Sequence, residues 1–309
     1  MKTLEQAHQE FNYDQLVQEQ LVGQPNAVNA YIECCQRYVG LQKTALIWEG
    51  KNGESEQWSF EQLDVASAQL ANYFKSIGIQ VGDCIAGLLP RTPELLITIL
   101  ATWRIGAIYQ PLFTAFESKA IEHRVLTANT KLIVTNAEQR PKLNHVEVKH
   151  ILTVNAGTNL TSNEADFWQE AEQHSDQCEA VLRSFDDDFL MMFTSGTTGL
   201  AKSVPVPLKA VLAFKGYMQH AVDLREDDSF WNLADPGWAY GLYYGITGPL
   251  SLGHSIIMDE RAFSVDHAVE VIKKYRVSNL TGSPTAFRMF FGFKEKFDPS
   301  IKTHLRAVS

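Results

Sequence analysis

The residues from Phe193 to Pro205, FTSGTTGLAKSVP, hold two glycines, five hydroxyl side chains and one lysine in a single short stretch. That mixture suits the binding of negative charge. Thr194, Ser195, Thr197 and Thr198 offer hydroxyl donors, and successive amide N–H groups in such a loop form an anion-binding nest. Gly196 and Gly199 reach backbone angles closed to other residues. Lys202 adds a compact positive charge. The combination predicts a site that holds a polyphosphate.

The stretch nearly fits a familiar nucleotide pattern, G-x-x-x-x-G-K-[ST], over Gly196–Ser203. It departs from it at Ala201, where that pattern needs glycine. It departs again after Lys202, where the pattern requires a helix whose N-terminus faces the phosphates. Pro205 and Pro207 follow instead, and residues before proline are pushed to extended conformations. Lys202–Pro207 therefore reads as a strand. The apolar run Phe189–Phe193 before the loop reads as a buried strand. The loop is expected at the tip of a hairpin, without help from a helix dipole.

The elements that must position this loop alternate along the chain. A polar, helix-rich lead-in runs to about Tyr38. Leu41–Glu49 and Glu56–Trp58 flank the turn Lys51-Asn52-Gly53 and predict a hairpin. Ser59 and Gln62 form a capping box for a helix that runs to about Ile77 and is stopped by Gly78. Strands follow at Asp83–Leu89, Ala107–Leu112, Lys131–Thr135 and His150–Val154, with helices at Thr92–Ile105 and Ser118–Ala128 between them. Gly157–Gln177 is loop-like, with a helical piece around Glu164–His174. After the loop come a helix (Leu208–Val222), a strand (Ser229–Ala234), a helix (Ala239–Leu250), a strand (His254–Met258) and a helix (Val265–Tyr275). A strand (Ser278–Gly282), a helix (Thr285–Gly292) and a strand (His304–Ser309) complete the pattern. Such alternation predicts an α/β fold of layered, mostly parallel sheets with helices on both faces.

The bulk numbers exclude several classes. The 309 residues are 45% hydrophobic and 20% charged, as in a globular protein with a sizeable core. A net charge of −9 with no basic stripe argues against nucleic acid as a partner. No apolar run is long enough to span a bilayer, and the polar N-terminus does not read as a signal peptide. Cys34, Cys35, Cys84 and Cys178 have neither metal-ligand spacing nor a disulfide pattern, which fits a reduced, cytoplasmic setting. Asp186-Asp187-Asp188 reads as an acidic turn before a buried strand, not a metal site. His123, His150, His174, His220, His254 and His267 show no pairing that suggests general-base work.

The phosphate stretch TSGTTGLAKSV resembles the signature of the adenylate-forming superfamily, usually T-S-G-T/S-T-G-x-P-K-G-V, with Ala201 in place of its proline and Ser203 in place of its second glycine. Proline would pre-set its backbone angle, so Ala201 predicts a more mobile loop. Trp58–Leu63 (WSFEQL) is similar to the family's early T-Y-x-E-L motif, and Trp103–Pro111 (WRIGAIYQP) to its L-K-A-G-A-x-Y-x-P segment. Asp235-Pro236-Gly237-Trp238 resembles the D-x-G-W element of acetyl- and medium-chain acyl-CoA synthetases, continued by Ala239–Leu250. Gly282-Ser283-Pro284-Thr285 is similar to the later x-P-T segment.

The resemblance implies the N-terminal part of the large adenylate-forming domain. It would be divided into a first α/β subdomain over residues 1–189 and a second over 190–309. It implies activation of a short- or medium-chain carboxylic acid by ATP and transfer of the acyl group to CoA, with magnesium as the metal. The β- and γ-phosphates would lie on Thr194, Ser195, Gly196, Thr197, Thr198, Gly199 and Lys202. Trp238, Ala239, Tyr240 and Gly241 would line the acyl pocket, with Tyr240 limiting the acyl group's length. Arg91 would reach the CoA phosphates. The family's G-E-P turn, its Y-G-x-T-E motif with the magnesium-binding glutamate, its ribose-binding aspartate and its small C-terminal domain with the catalytic lysine are absent from this sequence. The expectation is therefore a truncated form, inactive alone, with no catalytic residue of its own. An aryl-CoA ligase or an amino-acid adenylating domain is the alternative among enzymes. A catalytically silent nucleotide-binding module is the alternative outside them.

Overall fold

The computed structural model describes residues 3–10, 12–158, 160–194, 199–293, 301 and 303–309. Ser195, Gly196, Thr197 and Thr198 of the phosphate loop lie outside them.

Three short helices open the chain: α1 (Leu4–Glu10), α2 (Tyr13–Gln20) and α3 (Ala30–Cys34). The hairpin expected around Lys51-Asn52-Gly53 forms between β1 (Thr44–Glu49) and β2 (Ser55–Ser59). Ser59 then caps α4 (Phe60–Ser76). Its hydroxyl accepts the Gln62 N–H at 3.2 Å, and the Gln62 side chain accepts the Ser59 N–H at 2.8 Å. The two orphan donors at the helix start are satisfied reciprocally.

The largest sheet is built from β3 (Cys84–Leu88), β4 (Ile108–Pro111), β5 (Leu132–Asn136), β6 (His150–Val154), β7 (Glu164–Asp166), β8 (Asp188–Thr194) and β9 (Lys202–Pro207). Its order is β7-β6-β5-β3-β4-β8-β9, parallel throughout except for β9, which runs antiparallel to β8. Helices α5 (Pro93–Arg104), α6 (Ser118–Thr127) and α7 (Phe167–Glu172) connect these strands. Successive strand residues alternate between two cores. Leu132 and Val134 join Phe74 of α4 and Leu100 of α5, whereas Ile133 joins Ile121 and Val125 of α6. Helices therefore cover both faces, and β3 is buried along its whole length.

Two three-stranded sheets complete the described structure. One has the order β10 (Phe230–Asn232), β12 (Asn279–Thr281), β13 (Ala307–Val308), all parallel. The other places β11 (Ile256–Asp259) parallel to β1, with β2 at its edge. Helices α8 (Ala210–His220), α9 (Ala239–Leu242), α10 (Gly248–Ser251), α11 (Val265–Lys274) and α12 (Pro284–Gly292) lie between these strands in sequence. Strand pairing crosses residue 189 in both directions: β4 pairs with β8, and β1 pairs with β11.

Two elements differ from the sequence reading. The helix expected over Glu164–His174 begins only at Phe167, because Glu164–Asp166 adds to the sheet edge as β7, with Ile151 opposite Glu164. Arg140 and Thr153 hold the Glu164 carboxylate there at 3.0 and 2.7 Å. Asp166 then caps α7 by accepting the Trp168 and Gln169 N–H groups. The helix expected over Ala239–Leu250 is interrupted by a π-helical turn at Tyr243–Thr247. The acidic triplet is occupied by ion pairs, Asp187 with Arg183 at 3.0 Å and Asp186 with Lys209 at 2.7 Å, and Asp188 opens β8.

Candidate functional site

Parallel strands bind ligands outside their carboxyl ends, where the order of strands reverses. Here β4 and β5 lie on opposite sides of β3, so the reversal falls between β3 and β5. The segments that leave the C-terminal ends of β3, β4, β8, β10 and β11 are linked by side-chain contacts, β8 through Arg124 of α6.

The phosphate hairpin is one of them. β8 and β9 pair from Asp188–Pro207 up to Thr194–Lys202, which leaves Thr194 and Lys202 facing each other, both exposed, at the loop end of the ladder. Pro205 and Pro207 lack N–H groups, and β9 tolerates them because it is the outer strand of the sheet. Gly199 adopts φ +93°, a conformation that favours glycine. Helix α6 touches both limbs. The Arg124 guanidinium lies 5.7 Å from the Phe193 ring centre at the end of β8. His123 Nε2 lies 2.7 Å from the Ala201 carbonyl oxygen beside Lys202.

The second segment leaves β10. Asn232 accepts the Ala234 N–H at 2.8 Å, and Asp235 accepts the Gly237 N–H at 2.8 Å, so the turn after the strand is fixed by its own side chains. Trp238 then projects with 47% of its surface exposed. Its ring packs on Phe113 and Phe116, centre to centre at 5.5 and 5.6 Å, and these two rings meet edge to face at 5.7 Å. Close approach explains the glycines. A Cβ on Gly237 would lie 2.7 Å from the Phe113 backbone, and one on Gly241 would run into the Asp235 carbonyl. Ala239 opens α9. Tyr240 turns towards other tyrosines: its ring meets Tyr244 at 5.3 Å, and Tyr244 stacks on Tyr217 at 4.0 Å.

Electrostatics here centre on Asp235. Burial raises its carboxyl above the usual range, while the nearby Arg91 charge and the Gly237 N–H act the other way. Arg91, just past β3, donates to the Arg261 carbonyl at 3.3 Å, just past β11. It thereby joins two sheets and stands close enough to Asp235 to counter its burial.

Of the acyl-pocket candidates, Trp238 thus connects to the strand end that carries Thr194, Arg91 stands near Asp235, and Tyr240 turns to the tyrosine cluster instead. The contact path is continuous: Trp238 touches Phe116, Arg124 stacks 4.1 Å from the Phe116 ring centre, and Arg124 also reaches Phe193. Sequence reasoning missed Phe113, Phe116 and His123. Phe113 and Phe116 follow the strand Ala107–Leu112 at its carboxyl end, and that position alone was the available signal. No local pattern marks His123.

Comparison with known proteins fits this arrangement. The family model described as AMP-binding enzyme matches residues 34–309. An acetyl-coenzyme A synthetase of Deinococcus radiodurans is 32% identical over 299 residues, which is 87% of this chain and 45% of that protein. One from Bacillus subtilis is 28% identical over all of this chain and 56% of its own length. The chain therefore spans about half the length of the curated relatives it matches. The crystal structure of a Brucella canis acyl-CoA synthetase superposes with a TM-score of 0.94 at 45% identity, covering 100% of this chain and 57% of that one. On the phosphate hairpin, the aromatic wall at Trp238, and a family match over most of its length, the chain belongs to the AMP-binding enzyme family.

Proposed function

We propose that this chain carries the phosphate- and acyl-binding part of an enzyme that uses ATP to activate a short- or medium-chain carboxylic acid and passes the acyl group to CoA. The observation that supports the reading is the link, through Arg124, between the Thr194–Lys202 hairpin and the Phe113–Phe116–Trp238 wall. A carboxylate is a poor electrophile. Joining it to the α-phosphate of ATP supplies a good leaving group and piles negative charge on the pyrophosphate portion. The protein's task is to position the reactants and offset that charge. Lys202 and the hydroxyls of Thr194, Ser195, Thr197 and Thr198 would hold the β- and γ-phosphates. The exposed Trp238 face would bound the acyl group, with Ala239, Tyr240 and Gly241 beside it. Arg91 would lend charge to the CoA phosphates. Among the described residues no group of three or more His, Cys, Asp or Glu is arranged to hold a metal ion.

An amino-acid substrate is less well served. Recognition of an amine wants an available carboxylate, whereas the Asp235 carboxylate already accepts the Gly237 N–H and faces the Arg91 charge.

Carboxylate-dependent exchange of pyrophosphate into ATP tests the reading. Exchange is expected when this chain is joined to the downstream sequence that its longer relatives carry, and not from the 309-residue chain alone. Lys202→Ala in the joined protein should lower exchange by the equivalent of about 1.5–3 kcal/mol, the scale of a hydrogen bond to a charged group. A joined protein silent with every short- and medium-chain acid would sink the proposal. Full activity in Lys202→Ala would remove the role given to the lysine.

A further inference from the structure

His123 sits half-buried on α6, and its Nε2 lies 2.7 Å from the carbonyl oxygen of Ala201, 78 positions away in sequence. A carbonyl only accepts, so the ring nitrogen carries the proton, in the neutral Nε2–H tautomer or the imidazolium. Ala201 is the residue immediately before Lys202 and the start of β9.

Two observations give this contact weight. Among the described residues β9 is the outermost strand of its sheet, and no further described strand pairs with its outward backbone groups. Position 201 also holds alanine where the signature it resembles holds proline. Proline would fix φ from within the chain, and alanine does not. We infer that His123 is a positioning residue for the phosphate hairpin. Its bond to the Ala201 carbonyl supplies from outside the stiffness that proline would supply from within, and so determines where Lys202 presents its ammonium group.

The neighbouring residue grips the other limb. Arg124 reaches the Phe193 ring at the end of β8. It is held in turn by its own bond to the Ala120 carbonyl at 2.8 Å and by Gln110, which donates to the Arg124 carbonyl at 3.1 Å. Consecutive residues of one helix therefore reach both limbs of the hairpin at its loop end. Arg124 also touches Phe116, which touches Trp238, so the helix that steadies the hairpin rests on the aromatic wall.

The link to phosphate binding rests on the function proposed above, whereas the hold on the hairpin does not, and the test separates them. Hydrogen exchange in peptides covering residues 199–207 reports the hold directly, and calorimetric titration with inorganic pyrophosphate reports phosphate binding. His123→Phe should speed exchange in that segment by about two- to tenfold, the range of one net hydrogen bond, and weaken pyrophosphate binding by a similar factor. Exchange within α4 should stay unchanged, which shows that the fold is intact. His123→Gln can donate to the same carbonyl and should return both readouts to about the wild-type level. Wild-type exchange in His123→Phe, or no rescue by glutamine, overturns the inference. Pyrophosphate binding that is absent in the wild type, or intact in Lys202→Ala, instead sinks the phosphate reading, and the exchange comparison alone then decides the role of His123.

Discussion

Gly241 shows how little freedom individual residues have at the Trp238 wall. A Cβ there would run into the Asp235 carbonyl and lie 2.8 Å from the Ala234 oxygen, and both are backbone atoms that cannot swing aside. Gly241→Ala should therefore cost about 1–3 kcal/mol, as overpacking does. Gly216, inside α8, has no described atom within 4 Å of where a Cβ would stand. Gly216→Ala should gain about 0.5–1 kcal/mol, because alanine loses less entropy in a helix. Urea denaturation of the two variants against wild type checks both signs. Equal shifts would mean that the Asp235 turn adapts and is not what holds Trp238 in place. In the same turn the Asp235 carboxylate accepts the Gly237 N–H.

The small sheet β10-β12-β13 is tied together by one carboxylate. Asp228 accepts from Ser278 at 2.6 Å, from the Arg225 N–H at 2.9 Å, from Asn279 at 3.3 Å, and from Arg306, the residue before β13. Burial alone would raise its pKa, but these donors outweigh it, Arg306 foremost, and hold the carboxyl at about 2. A carboxyl whose folded pKa lies below its unfolded value, 3.8, stabilises the fold above that value and stops doing so as pH falls through the folded one. Between pH 4 and 2 the wild type should thus lose about 1–2 kcal/mol that Asp228→Asn does not lose, after allowance for solvent screening. Acid titrations of the two proteins followed by circular dichroism test this, and parallel curves would refute it. At this scale the sequence reading served well for β1–β2, for the α4 cap and for the hairpin β8–β9, where turn residues and caps lie next to what they control. It served less well at Glu164–Asp166, where an available sheet edge and the Arg140 and Thr153 side chains outweighed helix propensity. It also failed at Tyr243–Thr247, whose π-helical turn leaves no mark in hydrophobic periodicity.

Across the whole molecule, a buried lysine fastens the N-terminal helices to α8. The Lys215 ammonium donates to the Gln20 carbonyl and lies 3.9 Å from the Glu33 carboxylate. Glu33 also accepts from Arg37 at 2.7 Å and from the Val22 and Gly23 N–H groups at 2.9 Å. Burial, with the Arg37 charge adding to it and Glu33 and Cys34 opposing, brings Lys215 down from 10.5 to about 8. The unfolded chain then binds more protons than the folded one between those values, so this group's contribution to stability rises with pH across that window. Relative to Lys215→Met, the wild type should gain about 2–3 kcal/mol between pH 7 and 10. Urea midpoints for both proteins across that range measure it, and a constant difference would show that Lys215 does not titrate there.

The order of residues was enough to specify the alternation of strands and helices, the hairpin that carries Lys202, and the signature that marks the family. These are local properties: hydrophobic period, turn and cap chemistry, and a contiguous run of functional groups. Packing in three dimensions was needed to place Phe113 and Phe116 behind Trp238, Arg91 near Asp235, and His123 against Ala201. Each of these joins segments far apart in the chain. The physical reason is that such meetings depend on strand order and on which carboxyl ends are brought together. Those follow from how the sheets pack together, which no local pattern of residue types encodes.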